Sequence, residues 1–209
     1  MLPIAAVDSA ILELIKSLQA RSYLNGFHLV GGTALALQLG HRQSIDIDLF
    51  SNFDFDIAVL LEHIHQDYSY QLFLTAPNTI KGCINGINVD IIAHRYKILN
   101  EPEWVQGARL LSLPDLVAMK LNAISVSGQR SKDFIDLYYL LNQFDLGSML
   151  GFYRNKYDQE NVAFVLKSLI YFNEVDLADW PILVKNPGLK WEEIKKKLEK
   201  VVMDYLNHY

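Results

Sequence analysis

The sequence predicts an α+β fold, in which a mixed α/β region over residues 1–110 precedes an all-helical region over residues 111–209. Two observations carry this prediction. Before residue 110, helical periodicity alternates with short runs rich in β-branched and aromatic residues, and glycine or asparagine separates them. After residue 110, every patterned segment repeats with the period of a helix. A chain of 209 residues is long enough to bury a core.

The α/β region predicts the order helix, strand, helix, strand, helix, and then a mainly antiparallel group of strands. Asp8 suits the N-cap of the first helix, and Asn85-Gly86 is the two-residue signal of a β-hairpin. The predicted strands are FHLV, SIDIDLF, YQLFLT, TIKGCI and INVDIIAH, and the predicted helices are SAILELIKSLQA, TALALQL and residues 55–67.

The helical region begins at a strong start signal. Ser112 suits an N-cap, Pro114 falls in the first turn and Asp115 follows the serine by three residues. An irregular connection with two prolines, NEVDLADWPILVKNPG, precedes the last helix. The periodicity predicts helices over 113–126, 131–143, 146–156, 159–172 and 190–207.

Two carboxylates, Asp46 and Asp48, stand one residue apart in an apolar strand-like run. Residues i and i+2 of a strand share a face, so the two carboxylates project side by side. The alternation turns Ile45, Ile47 and Leu49 towards a core. Adjacent carboxylates repel each other unless a cation lies between them, and hard divalent cations prefer oxygen ligands. The pair predicts a Mg²⁺ or Mn²⁺ site; the alternative is the solvated outer face of an edge strand.

A paired glycine precedes the acidic strand. The run Gly31-Gly32-Thr33 ends a predicted strand and opens a helix, which brings backbone N–H groups and the positive end of the helix dipole to one place. Glycine lets a phosphate approach the backbone closely, and Thr33 adds a hydroxyl. The run is neither a Walker loop nor a Rossmann fingerprint, and many such runs are only tight turns. Beside a metal pair, it predicts a nucleoside triphosphate held by backbone and metal together.

Asp90 interrupts the otherwise apolar strand INVDIIAH, where an unpaired charge is costly. As a third carboxylate it would permit two-metal phosphoryl chemistry, in which one ion polarises the attacking oxygen and the other the leaving group. The alternatives are that Asp90 only positions the acceptor, or that it faces water at the end of a strand.

Two blocks of the sequence, GGTALALQLGHRQSIDIDLF and DLVAMKLNAISVSGQRSKDFIDLYYLL, resemble the nucleotidyltransferase AbiEii/AbiGii toxin family of the polymerase-β-like nucleotidyltransferase superfamily. The likeness extends in order over nearly the whole chain. One departure is Thr33, since the glycine motif of the superfamily usually reads Gly-Ser.

The resemblance implies a minimal nucleotidyltransferase fold with a mixed sheet, followed by helices that complete the active site. It also implies Mg²⁺-dependent transfer of a nucleotide from an NTP with release of pyrophosphate. Members of the family act as toxins, often beside an antitoxin gene in phage-defence or stress modules. Some members modify the acceptor end of tRNA, so a tRNA acceptor is expected.

Lys120 falls among apolar residues of the predicted helix 113–126. A lysine there either extends its ammonium group to the edge of the apolar stripe or meets an anion. The resemblance favours the anion and implies a contact between Lys120 and NTP phosphates. It also gives a functional role to Asp133, which would orient the acceptor or fix Lys120, with Asp136 as the second choice.

Arg42 and Ser44 match the polar positions that precede the aspartates in the family. Arg42 could reach a phosphate or lie in a surface loop. The predicted site therefore comprises the nucleotide-binding residues Gly31, Gly32, Thr33, Arg42, Ser44 and Lys120, the metal ligands Asp46, Asp48 and Asp90, and, besides these aspartates, the catalytic residues Lys120 and Asp133.

Composition limits the choice of partners and compartment. The net charge of −5 gives no global attraction to nucleic acid, so an RNA acceptor would need a local basic patch. No apolar run is long enough to span a membrane, and the N-terminus lacks a basic flank before an apolar core, so a cytoplasmic protein is expected.

Three classes of function remain open. The first is a nucleotidyltransferase toxin that adds a nucleotide to a hydroxyl of RNA, with a protein hydroxyl as the less favoured acceptor. The second is a small-molecule nucleotidyltransferase of the aminoglycoside-modifying kind, which would need an acidic pocket for a cationic sugar. The third is a catalytically silent module that binds NTP, against which the complete set of three aspartates argues.

Overall fold

The computed structural model describes residues 6–208. Residues 1–5 and Tyr209 lie outside the described residues. The expectation of a cytoplasmic protein rests partly on the sequence of that N-terminal segment. Within the described part of the chain, no helix is both long and apolar enough to cross a bilayer.

Residues 6–208 form eight α-helices and one seven-stranded sheet. The helices are α1 (Ser9–Gln19), α2 (Gly31–Leu39), α3 (Ile57–Asp67), α4 (Leu113–Val126), α5 (Ser131–Leu140), α6 (Leu146–Tyr157), α7 (Ala163–Leu169) and α8 (Trp191–His208). The strands are β1 (His28–Val30), β2 (Ile47–Ser51), β3 (Tyr70–Ala76), β4 (Thr79–Ile84), β5 (Ile87–Ala93), β6 (Glu103–Val105) and β7 (Ala108–Leu110). The predicted α+β class is confirmed: a mixed region of helices and strands comes first and, within residues 6–208, only helices follow β7.

The strands follow the order β3-β4-β5-β2-β1-β7-β6 across the sheet. The neighbours β2 and β5 run parallel, as do β1 and β7, and the other neighbours are antiparallel. The hairpin β6–β7 is absent from the sequence prediction, because three-residue strands are too short to show an alternating pattern. Its turn, Gln106-Gly107, has positive φ at both residues, as Asn85-Gly86 has between β4 and β5.

The two regions share one hydrophobic core. Buried residues of the sheet region, such as Leu29 and Leu35, belong to the same cluster as Leu116 and Phe134 of the helical region. The change from mixed to helical structure falls between β7 and α4, as predicted. The division into two domains, 1–110 and 111–209, stays a prediction.

The irregular connection between α7 and α8 returns to the segment that precedes β2. The N–H of Gln43 donates a hydrogen bond of 2.8 Å to the carbonyl of Ile182, and the N–H of Val184 donates one of 2.8 Å to the carbonyl of His41. Helix α7 is shorter than the predicted helix 159–172, because Asp158 adopts a left-handed conformation that ends α6 and residues 158–162 are irregular. The connection between α7 and α8 therefore packs against the segment that carries His41 and Gln43.

Candidate active site

Asp48 and Asp90 lie side by side on the parallel strands β2 and β5, where they are register partners. Register partners on parallel strands point to the same face of a sheet. Asp46 precedes β2 by one residue and shares that face by alternation. The predicted neighbourhood of these carboxylates is confirmed, and their predicted roles stay predictions. The prediction that Ile45 faces the core is wrong: β2 begins only at Ile47, and Ile45 is 63% exposed.

The three carboxylates are close enough to repel one another. Burial, and next the charges of Asp90 and Asp46, raise the pKa of Asp48 to about 6, while Arg130 and Lys120 act in the opposite direction. Among residues 6–208, no group donates a hydrogen bond to the Asp48 carboxylate. Asp48 is therefore the carboxylate of this face with the greatest need for a cation.

The other two carboxylates already have partners. The amide of Asn88 donates a hydrogen bond of 2.9 Å to Asp46. Lys81, the register partner of Asp90 on β4, forms an ion pair with it. Within residues 6–208, no three His, Cys, Asp or Glu side chains converge into a group that could hold a metal ion. The oxygen donors of the face nevertheless suit a hard divalent cation.

The paired glycine has a packing role that the sequence prediction did not include. Gly31, the first residue of α2, has a φ of +69°, and a Cβ there would overlap the carboxylate of Asp48. A Cβ at Gly32 would overlap the guanidinium of Arg42. Glycine at both positions lets the two side chains reach the start of α2. The predicted contact between this turn and a phosphate stays a prediction.

Thr33 and Ser44 connect α2 to the start of β2. The hydroxyl of Thr33 is buried and lies 2.9 Å from the hydroxyl of Ser44, and it also donates to the backbone carbonyl of Asp46. Thr33 therefore fixes the backbone that carries Asp46, whereas Ser44 lines the neighbouring cleft.

A buried charge cluster lies behind this face, with Asp136 of α5 at its centre. Arg42 donates to both oxygens of Asp136 at 2.6 and 2.9 Å, and His41 lies 2.7 Å from one of them. Lys120 of α4 lies 2.8 Å from Asp136 and donates a bond of 2.7 Å to Asp133. Two carboxylates and two permanent cations meet, so their formal charges cancel.

The charged forms are stabilised despite their burial. Burial alone would raise the pKa of Asp136, but Arg42, Lys120 and the hydrogen bond from His41 hold that pKa well below its usual range. Burial would lower the pKa of Lys120, but Asp133 and Asp136 raise it above the usual value. Burial, helped by the positive charges of Arg42 and Lys120, lowers the pKa of His41 below its usual value despite the hydrogen bond and charge of Asp136, so His41 is neutral near pH 7.

The cluster revises how the helical residues contribute. Of the two positions predicted for the ammonium group of Lys120, the edge of the apolar stripe or contact with an anion, the structure has the second. The anion is the pair of carboxylates on α5. Asp133 contacts Lys120, as one of its two predicted roles requires, and the role itself stays a prediction, as does the predicted contact of Lys120 with NTP phosphates. Asp136, the second choice, has the larger number of partners. Its spacing of three residues from Asp133 on a helix was the available signal, because that spacing gives both residues one helix face.

Two clefts meet at Asp48 and Arg130, which line both. The larger, of about 660 Å³, opens over the three carboxylates and is also lined by Lys81, Lys132 and Phe73. The smaller, of about 260 Å³, lies between the start of α2 and helix α4 and is lined by Gly31, Lys120 and Tyr157.

Arg130 is a residue that the sequence prediction missed. Its side chain is 64% exposed and lies 3.6 Å from Asp133. It also lowers the pKa of Asp48. The available signal was its position three residues before Asp133, within the block GQRSKDF.

Comparison with known proteins identifies the class of this site. The sequence model of a family described as nucleotidyl transferase AbiEii toxin, type IV toxin-antitoxin system, matches residues 13–70 and 85–207. The chain belongs to this family. It is accordingly a nucleotidyltransferase, and the family that its sequence resembles is confirmed.

One sequence relative matches over nearly its whole length, and solved structures share the fold. Protein aq_aa25 of Aquifex aeolicus, which is uncharacterized, is 27% identical over 202 residues, with 94% of this chain and 96% of that protein covered. MenT4, a nucleotidyltransferase toxin of Mycobacterium tuberculosis, has a TM-score of 0.59 and 13% identity, with 91% of this chain and 83% of MenT4 covered. A candidate nucleotidyltransferase from H. pylori has a TM-score of 0.53 and 15% identity, with 94% of each chain covered. The two structures share the fold of this chain.

Proposed function

We propose that this AbiEii-family enzyme transfers a nucleotide from an NTP to a hydroxyl group of an RNA acceptor, with tRNA as the first candidate. In the proposed reaction, the acceptor oxygen bonds to the α-phosphorus, the bond to the β-phosphate oxygen breaks, and pyrophosphate leaves while the hydroxyl loses its proton. The single observation that carries the proposal is the face formed by Asp46, Asp48 and Asp90, which opens into a large cleft beside Arg130.

A divalent ion, Mg²⁺ or Mn²⁺, would be held by Asp46 and Asp48, with Asp90 as the third candidate ligand; when bound, it would supply positive charge to the phosphates. The backbone N–H groups at the start of α2 would bind phosphate oxygens, since Gly31 and Gly32 leave that end of the helix open.

The side chains behind the face orient its parts. Arg42 and Lys120 act through Asp136, which ties α5 to α4 and to the segment before β2. Arg130 is an exposed cation that lines both clefts together with Asp48, and it would contact a phosphate or the acceptor directly.

The large cleft carries basic side chains and an aromatic ring beside its carboxylates, and these could bind an RNA acceptor. Lys81, Arg130 and Lys132 are basic side chains at its wall, and the exposed ring of Phe73 offers a surface for base stacking. The same cleft also presents the carboxylates of Asp46, Asp48, Asp90 and Asp179, which would suit a polycationic aminoglycoside, so this acceptor is included in the test below. The family description names a type IV toxin-antitoxin system, and we propose that this enzyme acts with an antitoxin that is encoded nearby.

The proposal is tested by incubating the enzyme with each α-³²P-labelled NTP in Mg²⁺ or EDTA, together with total RNA, cell protein or an aminoglycoside in separate reactions. We expect label on tRNA only, and only with Mg²⁺. Asp48→Asn should lower transfer roughly 10²-fold or more, because it weakens binding of the metal ion that would supply positive charge at the reacting phosphate. Asp54→Asn is the matched control, since Asp54 is exposed and pairs with Arg95 away from the cleft.

Each other outcome contradicts part of the proposal. Label on the aminoglycoside would identify a small-molecule enzyme, and label on protein would replace the RNA acceptor. NTP binding without transfer to any acceptor would indicate the silent module.

A further inference from the structure

We infer that Lys81 is a resident counter-cation of the active-site face, which competes with a divalent metal ion for the carboxylate of Asp90. The ammonium of Lys81 occupies an oxygen that a metal ion would otherwise bind. Lys81 is therefore a positioning residue that lowers the affinity of the empty face for metal. This inference rests on the proposed function, because it concerns the metal site of that reaction.

The backbone determines the pairing. Strands β4 and β5 are joined by the two-residue turn Asn85-Gly86, and their antiparallel register places Lys81 opposite Asp90. The parallel register between β5 and β2 places Asp48 on the other side of Asp90. Asp90 thus lies between a cation and a carboxylate on one face of the sheet.

The charge balance of the face gives Lys81 its effect. Three carboxylates repel one another, and Lys81 neutralises one of them through a direct ion pair. Asn88 supplies only a neutral donor to Asp46, and the cations of the buried cluster are matched by Asp133 and Asp136. The ammonium of Lys81 therefore reduces the field that would attract a divalent ion.

The contact can also be released. The side chain of Lys81 is 42% exposed and that of Asp90 is 21% exposed. Ion pairs with this access to water are weak and are screened by salt, so a divalent ion can displace the lysine. Once displaced, its flexible stem leaves the ammonium within the large cleft that it lines.

The pairing is a feature of this chain beyond the family match. The family model leaves residues 71–84 unmatched, and these include most of β3 and all of β4. The segment contributes Phe73, Leu74, Lys81 and Gly82 to the wall of the large cleft. The residue that would lower metal affinity at the face of Asp46, Asp48 and Asp90 therefore lies in a hairpin, β3–β4, most of which the family model does not match.

The test is a titration of Mn²⁺ into the full-length protein without NTP or RNA, followed by electron paramagnetic resonance of free Mn²⁺ and by calorimetry. We expect Lys81→Met to tighten Mn²⁺ binding by about 3- to 10-fold, because it removes the competing charge while keeping the length of the stem. Lys81→Arg keeps the charge and should bind Mn²⁺ as the wild type does. Lys195→Met is the matched control, since Lys195 pairs with Glu192 on the distant helix α8.

Several outcomes would overturn the inference. They are unchanged or weaker Mn²⁺ binding by Lys81→Met, tightening by Lys195→Met to the same degree, or absence of Mn²⁺ binding by every form. Thermal melts show whether each variant is folded, and Lys81→Ala replaces Lys81→Met if the latter is not. Because no NTP or acceptor is present, the result is independent of whether nucleotide transfer to RNA occurs.

Discussion

At the scale of single residues, Lys120 shows how burial changes the expected effect of a substitution. A lysine that faced a triphosphate from an apolar stripe could be replaced by methionine without loss of stability. In the structure its ammonium is buried between Asp133 and Asp136, and Arg42 is the other permanent cation of the cluster. Removing one partner of a buried ion pair leaves an uncompensated charge, which is strongly destabilising.

We therefore expect Lys120→Met to lower the free energy of unfolding by about 3–5 kcal/mol, measured by urea denaturation at pH 7. Adding Asp133→Asn should recover part of the loss, because it removes one of the two carboxylates left facing Arg42. Lys16→Met, at an exposed pair with Glu13, should cost at most about 1 kcal/mol. A stable Lys120→Met with reduced transfer would instead support a lysine that faces phosphate.

At the scale of elements, the strand–helix turn at Gly31 joins the two halves of the candidate site. Gly31 begins α2 with a positive φ and leaves room for the carboxylate of Asp48. Gly40 ends the same helix with a φ of +60°, and a Cβ there would meet only the side chain of Lys185 at 4.0 Å. Alanine would be strained at both positions, but only at Gly31 would it also displace the carboxylate of Asp48. Comparing the two substitutions therefore separates the two effects.

Gly31→Ala and Gly40→Ala should each lower the free energy of unfolding by about 1–2 kcal/mol, because alanine is strained in the left-handed region. Only Gly31→Ala should also weaken Mn²⁺ binding and nucleotide transfer, since its methyl group displaces Asp48. Unfolding curves, Mn²⁺ titrations and transfer assays on both variants measure the difference. Equal function in the two variants would mean that Asp48 does not need this approach to α2.

The elements also show what the sequence can predict. The two-residue turn Asn85-Gly86 fixes the register of its hairpin, so the pairing of Lys81 with Asp90 could have been derived by counting back from the turn. The pairing at the centre of the charge cluster could not have been derived in this way. Arg42 and Asp136 are 94 residues apart, and they meet only where the segment before β2 packs against α5. Local patterns determine strands and turns, whereas the partner of a buried charge depends on tertiary packing.

At the scale of the whole molecule, two histidines couple folding to pH: His28, which is buried, and His94, which is partly buried. His28 on β1 and His94, which follows β5, have pKa values lowered to about 4, chiefly by burial. A histidine in the unfolded chain has a pKa near 6.5. As the pH falls from about 6.5 towards 4, the unfolded state gains protons before the folded state does, so stability is complete above this range and is lost within it.

We expect each histidine to lower the free energy of unfolding by on the order of 1–2 kcal/mol between pH 7 and pH 5, after allowance for partial exposure. Asp48 acts in the opposite direction, because its pKa is raised to about 6 and the folded state takes up that proton before the unfolded state does, so the net fall is smaller than the sum for the two histidines. Urea denaturation at the two pH values measures the fall, and His94→Gln should reduce it. His208→Gln, at an exposed position near the end of α8, is the surface control. A fall of the same size in His94→Gln would assign the acid sensitivity to other groups.

The hydrogen bonds between the connection 170–190 and the segment before β2 have a consequence for the timing of synthesis. His41 and Gln43 flank Arg42 in sequence, and their backbone partners are Val184 and Ile182. A ribosome delivers these partners only after both aspartates of α5 have emerged and most of the chain has been translated. The nascent polypeptide therefore carries an unfinished site until residues 182–184 have been synthesised and have left the ribosome.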